Sequence, residues 1–234
     1  MFHNFPHKRL EPNQTTLYLS LRHKLRHLSQ ENFPVTETTK FLLEIKKSKR
    51  LIRVTIVGEG AVGKTTIVTS ILNSTKAHEH STSTISTIEK TNRTPFMIIE
   101  TWKQDGLTVQ CFDLAGQRKT PGAHPLDILK DQVLKMIDIV ILVFALDRYE
   151  SFENIYKWMQ LMGFEDGPPE EGPLFILVGN KCDLEQNVSR DLVTPLVGPD
   201  KMFETYIETS ATENIGIKKL LEEIARIGND VLGS

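Results

Sequence analysis

The chain has 234 residues, 39% of them hydrophobic and 25% charged, with a net charge of −2. This composition suits one large globular domain, or a domain with an extension, and excludes fibrous and fully disordered chains. Its two cysteines, Cys111 and Cys182, make no disulfide framework and show no metal-ligand spacing, so a reducing, cytoplasmic compartment is expected. No signal peptide opens the chain, and the longest apolar run, Ile139 to Leu146, is far short of the roughly 20 residues that span a bilayer.

The charge is unevenly spread. Residues 1–50 hold ten Lys/Arg and four Glu, a net of +6, while the remainder holds eighteen Lys/Arg and twenty-six acids, a net of −8. With Pro6, Pro12 and Pro34 punctuating the basic part, a boundary near residue 50 is expected, dividing a basic extension (1–50) from the domain proper (51–234). Leu17, Leu21, Leu25 and Leu28 form one apolar stripe of a helix, with Arg22, Lys24, Arg26 and His27 on its other sides. Phe41, Leu42 and Ile45 suggest a second short helix, ending in the basic run Lys46-Lys47-Ser48-Lys49-Arg50. Such an extension suits either docking on the acidic domain or weak contact with an anionic membrane surface. It has few aromatics to stack bases, so no nucleic acid is expected as a partner.

Leu51–Val57 is an apolar run that reads as a buried strand, and Thr66–Leu72 reads as the start of a helix. Between them lies Gly58-Glu59-Gly60-Ala61-Val62-Gly63-Lys64-Thr65, which fits G-x-x-x-x-G-K-[ST], the phosphate loop. Glycines let backbone N–H groups approach phosphate oxygens closely. The helix that follows, with Thr66 in its first turn, presents further unpaired N–H groups and a positive dipole end. Lys64 supplies a point charge for the β- and γ-phosphates, and the Thr65 hydroxyl is a hard oxygen ligand suited to Mg²⁺. This loop specifies a nucleoside triphosphate without choosing the base.

A polar tract from His78 to Thr94 follows, with eight Ser/Thr between Ser81 and Thr94, and reads as a loop. Phe96–Trp102 and Leu107–Phe112 are strand-like runs around Asp105-Gly106, a hairpin signal. Ile137–Ala145 and Leu174–Val178 read as buried strands, and Ser151–Met162 as a helix capped by Ser151. Tyr206–Thr209 is a candidate last strand, and Ile217, Leu220, Leu221 and Ile224 give Ile215–Ile227 helical spacing. Alternating strands and helices with buried strands imply an α/β fold: a mostly parallel sheet with helices on both faces. Ligands of such sheets bind at the carboxyl ends of the strands, where the remaining motifs fall.

Asp113-Leu114-Ala115-Gly116-Gln117 stands where the strand Leu107–Phe112 ends. Asp113 can hold Mg²⁺ through a water, Gly116 can offer a backbone N–H to a terminal phosphate, and Gln117 can orient a water for attack. Taken alone, the stretch reads equally as an ordinary turn after a strand. Asn180-Lys181-Cys182-Asp183 follows the buried strand. The Asp183 carboxylate can accept two hydrogen bonds from the ring N–H and amino group of guanine, a pair adenine does not offer, and such sites discriminate strongly. Asn180 can tie this loop to the phosphate loop, and the Lys181 stem can cover the base plane. In Glu208-Thr209-Ser210-Ala211-Thr212 the backbone N–H groups of Ser210 and Ala211 could meet the base carbonyl, a weak signal by itself.

With GEGAVGKT, DLAGQ, NKCD and ETSA in this order, each after an expected strand, residues 51–230 resemble a small GTPase of the Ras superfamily, in its Ras/Rab-like part. The resemblance implies a P-loop NTPase-type fold and a molecular switch in signalling or trafficking. Such a switch binds GTP or GDP with Mg²⁺ and hydrolyses GTP slowly without a partner. Lys64 and Gln117 would carry catalysis, Gln117 by positioning the attacking water. Thr65, Asp113 and a loop threonine would serve the metal, with Thr87 of Ser86-Thr87-Ile88-Glu89 best matching the family's Thr-Ile pattern and Thr84 second. Effector, exchange-factor and GTPase-activating proteins are the partners implied. The chain departs from the family in a longer loop before DLAGQ, an extended stretch after Gln117, and the extension at 1–50. Its last residues, Asp230 to Ser234, hold no cysteine for prenylation, and Met-Phe-His-Asn is no myristoylation signal. The competing readings are a nucleotide-binding scaffold that does not hydrolyse and a P-loop ATPase.

Overall fold

The computed structural model describes residues 50–75, 97–114, 134–164 and 172–233. Six strands form one sheet: β1 (Leu51–Gly58), β2 (Met97–Gln104), β3 (Leu107–Leu114), β4 (Ile139–Ala145), β5 (Leu174–Asn180) and β6 (Thr205–Thr209). The spatial order is β2-β3-β1-β4-β5-β6. Every pairing is parallel except that of β2 with β3. The helices are α1 (Lys64–Thr75), α2 (Tyr149–Glu153), α3 (Ile155–Met162), α4 (Arg190–Val193) and α5 (Ile217–Gly233).

Why a central strand can be apolar at every position is visible in β4. Ile139, Ile141, Val143 and Ala145 enter the core on one face, and Val140, Leu142 and Phe144 the core on the other. Successive side chains of a strand point to opposite faces, so a strand buried on both needs apolar residues throughout. The first face is covered by Ile67, Val68 and Ile71 of α1 and by Ile217, Leu220, Leu221 and Ile224 of α5. The second is covered by Ile155, Trp158, Met159 and Met162 of α3 and by Val193 of α4. Each fully buried Leu or Ile of these stripes contributes on the order of 2 kcal/mol by leaving water. The hairpin between β2 and β3 turns at Asp105 (φ 48) and Gly106 (φ 76). Two successive positive φ values make a type I′ turn, whose twist matches the strands it joins.

The structure extends or corrects several boundaries. β3 runs through Asp113 to Leu114, so Asp113 belongs to the strand and does not follow it. β5 continues to Asn180, and α5 starts at Ile217 and reaches Gly233. The expected helix Ser151–Met162 is two helices, broken at Asn154, the first beginning at Tyr149. Ser151 therefore caps no helix. It is buried inside α2, where its hydroxyl accepts the Ala145 N–H (2.9 Å) and donates to the Arg148 carbonyl (2.7 Å). A serine near a helix start has this alternative because its oxygen can serve any nearby backbone donor. Ser151→Ala is expected to cost about 1–3 kcal/mol in urea unfolding, the range for an orphaned buried donor. A midpoint equal to that of the unaltered chain would show that water replaces the hydroxyl. Among the described residues no helix is long and apolar enough to cross a membrane.

Candidate functional site

The carboxyl ends of β1, β3, β4, β5 and β6 lie along one edge of the sheet, and the loops that leave them carry the expected motifs. The loop after β1 is shaped by its glycines. A Cβ on Gly58 (φ 139) would stand 2.2 Å from the Val143 carbonyl oxygen, and one on Gly63 (φ 96) would stand 2.2 Å from Asn180 Nδ2. Neither position can carry a side chain without displacing its neighbour. The loop closes into α1, with Ile67 N–H donating to Gly63 O (2.9 Å).

Lys64 is 6% exposed, and its ammonium donates to the carbonyls of Gly58 (2.9 Å) and Glu59 (2.8 Å). Burial lowers its pKa to about 8, against the opposing pull of the Asp113 and Glu59 carboxylates. The backbone thus folds around a cation, an arrangement able to gather anionic oxygens. Beside it, the Thr65 hydroxyl donates to Asp113 Oδ2 at 2.6 Å, bringing the first turn of α1 and the end of β3 together. Two hard oxygens converge there, a donor set of the kind Mg²⁺ prefers. Among the described residues no group of three His, Cys, Asp or Glu gathers as an alternative metal site.

Asn180, 2% exposed, joins three loops. Its Nδ2 donates to Val62 O in the phosphate loop (2.8 Å), and its Oδ1 accepts from Thr209 Oγ1 (3.0 Å) and Ala211 N (3.2 Å). The Ala211 N–H is thus directed at Asn180, while Ser210 is buried with its hydroxyl beside Thr212 Oγ1 (3.1 Å) and accepting from Glu213 N (3.2 Å). Cys182 N–H donates to Thr209 O (3.0 Å), a second link between the loops after β5 and β6. Lys181 holds a left-handed backbone (φ 66), and its ammonium pairs with Asp147 Oδ2 at 3.1 Å. Asp183 is exposed two residues further on, where a ligand can reach its carboxylate from solvent. Both cysteines are free thiols, Cys111 buried in β3 with its pKa raised by burial. Thr66 is exposed in the first turn of α1.

Thr84, Thr87, Gly116 and Gln117 lie outside the described residues. Sequence reasoning missed Asp147, Arg148 and Asn154, which follow β4 and reach the site loops through side-chain contacts. Nothing in their local sequence distinguishes them from solvated polar residues; the one signal is their place just past the carboxyl end of a buried strand.

A mostly parallel sheet with a phosphate loop after its first strand, and further polar loops along the same edge, defines a P-loop nucleotide-binding protein. Residues 53–229 match the model of the Ras family. The chain belongs to the Ras family. It is 28% identical to the Ypt/Rab-type GTPase ypt7 of Schizosaccharomyces pombe over 80% of this chain and 87% of that one. It is also 28% identical to the Ras-related protein Rab-7a of Dictyostelium discoideum, over 77% and 83%. To the Ras-like GTP-binding protein RHO1 of Entamoeba histolytica it is 28% identical over 77% of each.

Proposed function

We propose that this chain is a guanine-nucleotide switch: it binds GTP and GDP with Mg²⁺, hydrolyses GTP slowly, and changes its partners with the nucleotide. The observation that carries the reading is Asn180, one buried amide holding the phosphate loop, the Asn180–Asp183 loop and the Ser210–Ala211 loop in register. That coupling supports the reading, because a carboxylate that reads the base and a lysine that holds phosphate would need their loops kept in register. The names of the relatives, two of them Rab-type, support a role in signalling or trafficking.

The residues divide the work. Lys64 and the backbone of residues 58–66 hold the phosphates, and Asp183 reads the base. The Thr65 and Asp113 oxygens would hold Mg²⁺, which when bound offsets charge on the β- and γ-phosphate oxygens. Thr87, with Thr84 as runner-up, would add a ligand and sense the γ-phosphate. Gly116 would meet that phosphate through its N–H, and Gln117 would orient the attacking water. Phosphoryl transfer needs mainly positioning and charge stabilisation, so slow turnover that a GTPase-activating partner accelerates is expected. Loss of the γ-phosphate would release the two flanking loops and with them an effector, and an exchange factor would reload the site.

The direct test is binding of fluorescent GDP by the full chain, with competition by GTP and by ATP. Displacement by GTP and not by ATP supports the reading, and equal displacement points to an ATPase. Gln117→Leu is expected to keep GTP affinity and lower single-turnover hydrolysis by at least about tenfold, because a misplaced nucleophile loses its effective molarity. An unchanged rate would mean that other groups place the water, and an unaltered chain that binds GTP without hydrolysing it would be a scaffold.

We assign residues 1–50 as a separate basic extension that gives weak, salt-sensitive contact with an anionic membrane surface, with the domain at 51–234. Each basic residue near such a surface contributes roughly 1 kcal/mol, screened within about 10 Å at 0.1 M salt. Full-length chain is expected to co-sediment with anionic and not neutral vesicles at low salt, and a chain starting at Ser48 with neither. Failure of the full chain to bind anionic vesicles would leave docking on the acidic domain as the role of the extension.

A further inference from the structure

A phosphate-binding loop is a poor place for a carboxylate, because a negative side chain repels the polyphosphate the loop must hold. Yet Glu59 is the second residue of this loop, 29% exposed at its side chain. Two residues that follow β4 contact it. Asn154, 7% exposed at the break between α2 and α3, donates from Nδ2 to Glu59 Oε1 at 2.6 Å. Arg148, the residue before α2, brings Nη2 to 3.6 Å from Glu59 Oε2. The same Nη2 donates to the carbonyl of Gly60 at 2.8 Å. One guanidinium therefore bridges the side chain of one loop residue and the backbone of the next, from 88 positions away in sequence.

The consequences are electrostatic and mechanical. The Asn154 amide holds the Glu59 side chain, while Arg148 offsets the Glu59 charge and its hydrogen bond holds the Gly60 carbonyl. At Ala61, the next residue, a non-glycine backbone is held at φ 62, a conformation that persists only where its surroundings hold it.

We propose that Arg148 and Asn154 are positioning residues for the nucleotide: they latch Glu59 and Gly60, neutralise the loop's own carboxylate, and keep its N–H groups aimed at the phosphates. This rests on the guanine-nucleotide reading above. The latch couples the phosphate loop to α2 and α3, so a partner that moves these helices would loosen the phosphates without touching them.

The test is a charge cycle on the full chain, read by the dissociation rate of a fluorescent GDP analogue with Mg²⁺, with urea unfolding of each variant beside it. Arg148→Ala is expected to release GDP at least tenfold faster, since Glu59 is then uncompensated. Adding Glu59→Gln to it is expected to bring the rate back to within about threefold of the unaltered chain, because the repulsion is gone. Arg148→Lys should fall between, keeping the charge and losing the fork that spans two groups. A role in stability alone would lower the unfolding midpoint of Arg148→Ala with no recovery of GDP release in the double variant, and that result overturns the proposal. So does an Arg148→Ala chain that releases GDP at the unaltered rate. An unaltered chain that binds no guanine nucleotide would instead overturn the reading on which the proposal rests.

Discussion

Asn180→Ala is expected to lower the stability of the nucleotide-free chain by about 3 kcal/mol. Three groups lose a partner: the Val62 carbonyl, the Thr209 hydroxyl and the Ala211 N–H. An orphaned buried polar group costs about 1–3 kcal/mol, and water reaching this edge of the sheet reduces the sum. Against a total stability of roughly 5–15 kcal/mol, that is a large fraction. Urea unfolding with an unchanged slope would measure it. Under the proposed function nucleotide affinity should fall as well, since the loops assigned to phosphate and base would no longer share an anchor. A loss below about 1 kcal/mol would mean that the loops hold their register without the amide.

Asp183→Asn should act oppositely, leaving the unfolding midpoint in place and changing what binds. Asp183 is exposed, and the loop is held without it by Cys182 N–H on Thr209 O (3.0 Å) and by the Lys181–Asp147 pair (3.1 Å). If its carboxylate accepts the paired N–H groups of guanine, its removal costs a bidentate, charge-assisted contact of about 2–4 kcal/mol, a loss in GTP affinity of roughly 30- to 1000-fold. Xanthine nucleotide should gain, because its ring carbonyl can accept from the amide introduced. Titration with GDP and xanthosine diphosphate reads both effects. Unaltered GDP affinity would remove Asp183 from base recognition.

Much of the architecture is written in local pattern. The residues of β4 are apolar at every step because both faces are covered, and that density can be read before any neighbour is known. Asp105-Gly106 announces a type I′ turn because few residue pairs tolerate two positive φ values. The phosphate loop is legible for the same kind of reason. Its glycines answer to steric limits within a few residues, although the atoms that impose the limits, Val143 O and Asn180 Nδ2, come from β4 and β5.

What the amino-acid sequence alone determined was the α/β class, the order of the strands, and where the loops leave the carboxyl ends of the strands. Those properties arise from side-chain alternation, backbone conformational limits and hydrogen-bonding groups close together in the chain. Tertiary structure decided that β1 lies between β3 and β4, that Ser151 serves β4 and caps no helix, and that α2 and α3 part at Asn154. It also decided that Asp147 meets Lys181 and that Arg148 and Asn154 hold Glu59. Each of these is a partnership between groups 34 to 95 residues apart, or a choice among several backbone donors within reach. A charge or an amide carries no periodicity that names its partner, and only the packing of helices onto the faces of the sheet brings the two within hydrogen-bond range.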